Sequence, residues 1–213
     1  MAISEEYNWN PDISEIVEEA FERAGLELRS GMDFRTARRS LNLLTLEWQN
    51  KGINLWTVSE NMLAETSAGV SLTTNYLVKG TASYKLPSGT ISLLNAELRL
   101  DDGTLTKQMD YSLARISQPT YATIPNKLTQ ARPLQYWMQR KEIPGAAALG
   151  ADQSDTLTLW PVPDSSTKYK VVIHRLKRIS DTGNPASNTM QIPGRFMPAL
   201  ISGLAYQLAL KRP

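Results

Sequence analysis

Near the N-terminus, apolar residues recur every three or four positions, which is the period of an α-helix. The first such stripe comprises Ile13, Ile16, Val17, Ala20, Phe21 and Ala24. Asp12 and Glu15 have the spacing of a capping box at its start, and Gly25 follows where a left-handed residue often ends a helix. The pattern predicts a first helix over residues 13–24.

A second apolar stripe lies in residues 33–58, which read DFRTARRSLNLLTLEWQNKGINLWTV. It comprises Ala37, Leu41, Leu44 and Trp48, spaced at i, i+4, i+7 and i+11. Leu43 and Leu46 widen the stripe, which predicts a helix that is buried on more than one side. Asp33 is the predicted N-cap of this helix, and Gly52 is the predicted residue that ends it.

Between residues 55 and 179 the pattern changes to short segments with the period of two that is typical of β-strands. The predicted strands are residues 56–61, 75–80, 90–100, 104–111, 134–139, 156–159 and 169–176. The sequence Asp101-Asp102-Gly103 is a hairpin turn signal between two of them. Residues 163–168 are a predicted turn, so we expect the last two strands to pair as a hairpin.

Helical periodicity returns in residues 195–212. The stripe comprises Met197, Leu200, Ile201, Leu204, Ala205 and Leu208. Ala199 and Gly203 are small, so another helix can approach this one closely. We therefore expect the final helix to pack on the first two.

The order of these segments predicts the domain organisation. A chain of 213 residues is long enough to bury a sizeable core in one large domain or two small ones. The predicted fold class is α+β. A helical bundle is built from both chain ends, residues 1–53 and 193–213, and residues 54–192 form an inserted antiparallel β domain.

The composition indicates a protein without a membrane span or a disulfide framework. No run approaches the ~18 apolar residues of a membrane span, and the polar first ten residues do not resemble a signal peptide. The chain has no cysteine, so packing or oligomerisation must stabilise it. We predict no cofactor, no metal site and no interaction with a membrane.

Charge is unevenly divided along the chain. Residues 1–33 hold nine acidic and two basic residues, whereas the remainder holds twelve acidic and twenty-one basic ones. The predicted first helix carries an acidic face of Glu15, Glu18, Glu19 and Glu22, and the second carries the basic residues Arg35, Arg38 and Arg39. The two sets pair within one chain, meet between neighbouring copies, or remain solvated helix faces; the sequence leaves these alternatives open.

Trp9 is a further candidate interaction residue. It lies in a polar N-terminal segment, and a large aromatic side chain in such a segment can anchor it in a pocket on a partner. Trp48 and Trp56 are expected in the core. Trp137 and Trp160 lie in predicted strands, where they form either sheet core or an exposed stacking surface.

Catalytic motifs are missing, so the chain is predicted not to be an enzyme, and no catalytic residue is assigned. The sequence contains no H-E-x-x-H, G-x-S-x-G or G-x-x-x-x-G-K-[ST] motif. His174 is the only histidine, and a single histidine cannot build a catalytic triad by itself. Several carboxylates remain as candidates for a glycosidase pair, namely Glu97, Asp101, Asp102, Asp152 and Asp155.

Four stretches, in this order, resemble the head-to-tail adaptor proteins of short-tailed phages, also called tail tubular protein A. They are SLNLLTLEWQNKGINLWTV (residues 40–58), KLTQARPLQYWMQR (127–140), LTLWPVPDSSTKYKVVIHRLKRI (157–179) and IPGRFMPALISGLAYQLALKR (192–212). Each stretch alone consists of ordinary core residues, and the resemblance rests on the ordered set, which spans most of the chain.

The resemblance implies a structural virion protein, assembled in the host cytoplasm. It implies a dodecameric ring of this chain that binds the portal protein on one face and the tail nozzle protein on the other. Such a ring lines part of the DNA exit channel, through which DNA passes without sequence-specific binding. The alternative from a different class is a virion-associated enzyme that cleaves peptidoglycan, or a carbohydrate-binding module.

Overall fold

The chain divides into two compact units. A computed structural model describes residues 10–29, 31–140, 155–182 and 189–211. The first unit comprises Met1–Thr57 and Arg178–Pro213, and the second comprises Val58–Lys177. Four helices and two four-stranded sheets lie in the described residues, so the prediction of an α+β fold is confirmed.

Helix α1 spans Ile13–Arg23, so its predicted start is confirmed and it ends one residue before the predicted end. The Asp12 carboxylate accepts a hydrogen bond of 2.9 Å from the Glu15 backbone N–H, which satisfies a free donor of the first turn. Gly25, with φ at +66°, donates to the Glu22 carbonyl, and Leu26 donates to Phe21. These two bonds make the paired closure of a Schellman motif, which requires a left-handed residue at Gly25.

Helix α2 spans Gly31–Asn50 and begins two residues before the predicted N-cap. Asp33 lies inside the first turn, where its carboxylate accepts a bond of 3.2 Å from the Arg29 backbone N–H. Asp33 therefore still bonds a backbone N–H close to the start of α2, but from a position inside the first turn and not as the N-cap residue. At the other end Gly52 has a φ of +71°, as predicted, and Ile53 donates to the Trp48 carbonyl.

The prediction that Leu43 widens the apolar stripe on α2 is wrong. Ala37, Leu41 and Leu44 are buried, whereas Leu43 is 55% exposed. A helix of this period places Leu43 about 100° from its neighbours on either side, and no described element covers that direction. Leu46, the other residue expected to widen the stripe, is half-buried.

Helix α4 spans Met197–Lys211 and packs on α1 and α2. The three helices share one apolar core. A Cβ atom added at Gly203 would lie 3.0 Å from Leu44 Cδ2, so the bare glycine backbone allows the close approach of α2.

The second unit contains two sheets. Its strands are β1 (Val58–Met62), β2 (Ser83–Lys85), β3 (Thr90–Leu100), β4 (Met109–Ser112), β5 (Ala114–Arg115), β6 (Gln135–Gln139), β7 (Thr156–Trp160) and β8 (Tyr169–Lys177). One sheet has the order β1-β8-β3-β4 and the other β2-β7-β6-β5. A short helix, α3, spans Gln118–Thr123. Residues from both sheets contribute to one apolar core, which includes Tyr84, Leu98, Leu157, Leu159 and Ile173.

Two pairing predictions for this unit are wrong. The last two strands do not form a hairpin, because β7 and β8 lie in different sheets. After β7, the backbone of Val162 forms hydrogen bonds with Thr129 and Ala131. The chain therefore continues past the end of β7 and does not turn back to pair with it. The β domain is also not wholly antiparallel, since β5 and β6 pair in parallel.

Residues 75–80 are not a strand. Thr74 and Asn75 have positive φ, which breaks the extended backbone at its start. The Tyr84 hydroxyl accepts from the Val78 N–H and donates to the Val78 carbonyl, so the backbone groups of Val78 bond to a side chain and not to another strand. The predicted strand 104–111 is shorter than expected, because a folded loop occupies residues 101–108 before β4 begins.

No described helix has the length and apolar content that a membrane crossing requires.

Candidate interaction surfaces

The acidic face of α1 is largely open to solvent. Glu15, Glu18 and Glu22 are exposed. Glu19 is half-buried and forms an ion pair with Arg23, with 2.7 Å between the carboxylate Oε1 and the guanidinium Nε. Arg23 also donates to the Ser202 hydroxyl at 3.1 Å, which links α1 to α4. Three of the four α1 glutamates therefore have no ion-pair partner among the described residues. The fourth, Glu19, pairs with Arg23 of the same helix.

A groove of about 380 Å³ lies between α1 and α4. It is lined by Pro11, Glu15, Ile16, Glu19, Arg23 and Ile201. Ile16 and Ile201 are core residues with exposed fractions of 0% and 4%, so they offer the groove almost no apolar surface. Glu15 also lines the groove, together with Glu19 and its ion-pair partner Arg23, so the groove carries charges of both signs.

The three arginines of α2 do not form a single cluster. Arg38 is half-buried, and it donates a hydrogen bond of 3.0 Å to the Thr182 carbonyl. Asn42 also binds Thr182, and so this side of α2 holds the segment that follows β8. Arg38 thus has a structural contact within its own unit.

Arg35 and Arg39 are exposed and lie on a different side of α2. Together with Met32 and Leu43 they are spaced at i, i+3, i+7 and i+11, which places all four side chains along one line of the helix. Met32 is 72% exposed and Leu43 is 55% exposed. We call these four residues the α2 ridge; it combines two cations with two apolar side chains.

Among the described residues, no ion pair joins the α1 glutamates to the α2 arginines. Within this part of the chain, the expected acidic and basic sets therefore do not neutralise each other. Trp9, the remaining candidate of this group, lies outside the described residues.

The tryptophans of the first unit are packing residues. Trp48 packs against the helical core. The Trp56 ring lies 4.6 Å from the Phe196 ring, and its indole N–H donates to the Gln191 carbonyl at 3.0 Å.

The tryptophans of the second unit are half-buried. Trp137 stacks on Tyr121 with 5.2 Å between ring centroids, and Trp160 donates to the Asn126 carbonyl at 3.1 Å. An open hollow of about 430 Å³ lies beside Trp137. It is lined by Arg115, Ile116, Ser117, Gln118, Trp137 and Met138.

Two of the candidate carboxylates, Asp102 and Glu97, have described polar contacts within the second unit. Lys170 bonds to Asp102 at 2.8 Å and Arg99 lies 3.6 Å away, and together they hold the pKa of the Asp102 carboxyl below its usual range. Glu97 accepts a hydrogen bond from Asn95, and Asp152 lies outside the described residues.

Metal chemistry has no candidate site in the part of the chain that the structure describes, since no three potential ligands lie together there. His174 is half-buried in β8, opposite Glu60 of β1 and Asn95 of β3. Its position is that of an ordinary strand residue.

Comparison with known proteins adds no functional assignment. No protein-family model matches the chain, and no match was found among curated proteins.

Proposed function

We propose that this chain is a head-to-tail adaptor of a short-tailed phage. In this proposal it forms a dodecameric ring between the portal protein and the tail nozzle protein, and the ring surrounds the path of the DNA. The observation that carries the proposal is the ordered set of four resembling stretches. They include most of α2, β6, β7, β8 and α4, so the resemblance extends over the cores of both units.

The proposal includes the finer architecture. We infer that both chain ends build one helical bundle, into which the β domain is inserted. The shared core of α1, α2 and α4 supports this, as does the grouping of both chain ends in one unit. A fold of this kind lets the helices and the sheets carry different contacts in an assembly.

The surface charges are compatible with binding to other copies. An exposed acidic face on α1 and two exposed arginines on α2 lie on one unit and are not paired with each other among the described residues. A ring requires two different patches on each subunit, one for each neighbour. Opposite charges on two helices meet that requirement.

The test is negative-stain electron microscopy of the purified chain mixed with the portal protein of the same genome. We expect a closed ring of added density on one face of the portal. Circular dichroism of the same sample establishes that the chain is folded. A folded chain that leaves an intact portal unchanged would contradict the proposal.

The alternative function has one feature in its favour, the half-buried Trp137 beside an open hollow. Stacking on tryptophan is a common way to bind a sugar ring, and it predicts retention of the chain in a gel that contains peptidoglycan fragments. Retention lost in Trp137→Ala but kept in Trp48→Phe would favour a carbohydrate-binding module. Clearing of a peptidoglycan gel that is lost in Glu97→Gln would favour an enzyme.

A further inference from the structure

We propose that two copies of this chain pair through the exposed side of helix α4, in an antiparallel contact with twofold symmetry. The side chains concerned are Ala199, Ser202, Tyr206, Ala209 and Leu210, which we call the α4 stripe. The inference goes beyond the proposed function, because it concerns the chain in the absence of portal and nozzle proteins. A twofold contact joins the same patch on both copies, so it differs from the heterologous contact that a ring repeats.

The α4 stripe is exposed although it carries no charge. Helix α4 contains no acidic or basic residue from Met197 to Leu210. One side of the helix packs in the shared helical core, whereas on the other side Tyr206 is 66% exposed and Leu210 is 65% exposed. A surface helix normally has charged residues on its solvent side. Covering Tyr206 and Leu210 would remove apolar surface from water, which is favourable.

The other long helices of this unit do not offer a matching surface. The exposed side of α1 carries Glu15, Glu18 and Glu22. The exposed side of α2 carries Arg35 and Arg39. Packing either side against the α4 stripe would bury charges without partners, which is costly. Among the long helices that the structure describes, only α4 has an uncharged exposed side, so the matching surface is the α4 stripe of a second copy.

The order of small and large residues along the α4 stripe sets the direction of pairing. Ala199 and Ser202 are small and come first, whereas Tyr206 and Leu210 are large and come last. In an antiparallel pair centred near Leu204, Tyr206 of one copy lies beside Ser202 of the other. Leu210 of one copy then lies beside Ala199 of the other. Each large side chain fills the space over a small one, whereas a parallel pair would oppose large to large and leave gaps between the small ones.

The absence of cysteine permits a direct test by cross-linking. One chain carries Ala199→Cys and another carries Leu210→Cys, both at exposed positions. The chains are mixed at millimolar concentration, because one pair of helices is a smaller contact than a stable interface usually has, and treated with a short bismaleimide. We expect roughly tenfold more cross-linked dimer from the mixture than from either chain alone, because like cysteines would stand ~16 Å apart in the antiparallel pair.

An added charge tests the basis of the contact. Tyr206→Glu in both chains should lower the yield of mixed dimer by about tenfold, because the contact would bury a carboxylate without a partner. Met32→Glu is the matched control, since Met32 is 72% exposed on α2 of the same unit and the same new charge there should leave the yield unchanged. Circular dichroism checks that each chain is folded. Ala209→Glu, also at an exposed position, gives the same comparison if Tyr206→Glu is unfolded.

The outcomes separate this inference from the proposed function. A mixture that yields no more dimer than the single chains at millimolar protein overturns the inference, and so does full yield from a folded Tyr206→Glu chain. None of these measurements includes the portal protein. Rings on the portal without the α4 dimer would therefore leave the adaptor proposal standing, whereas an α4 dimer of a chain that leaves the portal unchanged supports this inference and contradicts the adaptor proposal.

Discussion

At the scale of single residues, the guanidinium of Arg175 makes four hydrogen bonds to described residues of the second unit. It is buried, and burial lowers its pKa. It donates to the Asn61 side chain at 2.8 Å, to the carbonyls of Pro87 and Ser88 at 3.1 and 2.9 Å, and to the Thr90 hydroxyl at 2.8 Å. One side chain on β8 thereby fixes the turn that leads into β3.

Replacing this group should be costly. Arg175→Met leaves several partly buried acceptors without this donor, so we expect the free energy of unfolding to fall by roughly 3 kcal/mol. Arg140→Met is the matched control, because Arg140 is exposed and has one described hydrogen bond, to Ile91. Urea denaturation of both variants checks this; equal midpoints for the two would show that the Arg175 bonds add little.

Tyr84 gives a pH-dependent prediction. Its hydroxyl is buried against the backbone of residues 78–81, and burial raises its pKa to about 12. The raised value means that the folded state favours the protonated phenol. Its contribution to stability is therefore complete below pH ~10, the ordinary value, and is lost as the pH rises towards the folded pKa.

Tyr84→Phe should lower the free energy of unfolding by about 1–3 kcal/mol at pH 7, because backbone groups lose their partner. Above pH ~10 the difference in the free energy of unfolding between wild type and Tyr84→Phe should then become smaller, by about 1.4 kcal/mol per pH unit. Urea denaturation of wild type and Tyr84→Phe at pH 7, 10 and 11 measures this difference. A gap that stays constant across this range would contradict the assigned burial of the hydroxyl.

At the scale of elements, the contact between α2 and α4 depends on Gly203. Because a Cβ atom there would lie 3.0 and 3.3 Å from the two methyl carbons of Leu44, there is no room for a larger side chain. Gly203→Val should therefore destabilise the chain by about 1–3 kcal/mol through overpacking.

A second substitution, at Leu44, tests whether overpacking against this side chain causes the loss of stability. Leu44→Ala removes the two methyl carbons, so the double variant should be more stable than the sum of the two single effects predicts. Ala199→Val is the control for β-branching alone, because Ala199 is exposed on the same helix. Thermal unfolding of the four variants measures the coupling, and strict additivity would argue against close contact at this point.

At the scale of the whole molecule, the division of charge predicts sensitivity to salt. The first 33 residues carry a formal charge of −7, from nine acids and two bases, and the rest carries +9. If exposed ion pairs join neighbouring copies, raising the salt to ~1 M should weaken the assembly, because the Debye length then falls to about 3 Å.

Mass photometry of the assembled protein across a salt series measures the effect. We expect the ring population to fall as salt rises, and to fall at lower salt in Arg35→Glu with Arg39→Glu. An assembly that is equally stable at all salt concentrations would indicate an interface dominated by apolar contact.

The sequence alone determined the features that depend on near neighbours along the chain. The caps at Asp12, Gly25 and Gly52 and the stripe on α4 were predictable, because the groups involved lie within a few residues of one another. Local geometry fixes such features whatever the rest of the chain does.

Only the tertiary structure decided which surfaces are covered. Periodicity placed Leu43 on the buried side of α2, but the structure leaves it exposed. The sequence grouped Arg38 with Arg35 and Arg39, but the structure separates it from them through its bond to Thr182. The distribution of β7 and β8 between two sheets and the parallel β5–β6 pair likewise depend on partners far along the chain. A one-dimensional pattern records where apolar groups occur, but burial and strand pairing are set by which distant segments meet them, and so the α2 ridge could be identified only from the folded chain.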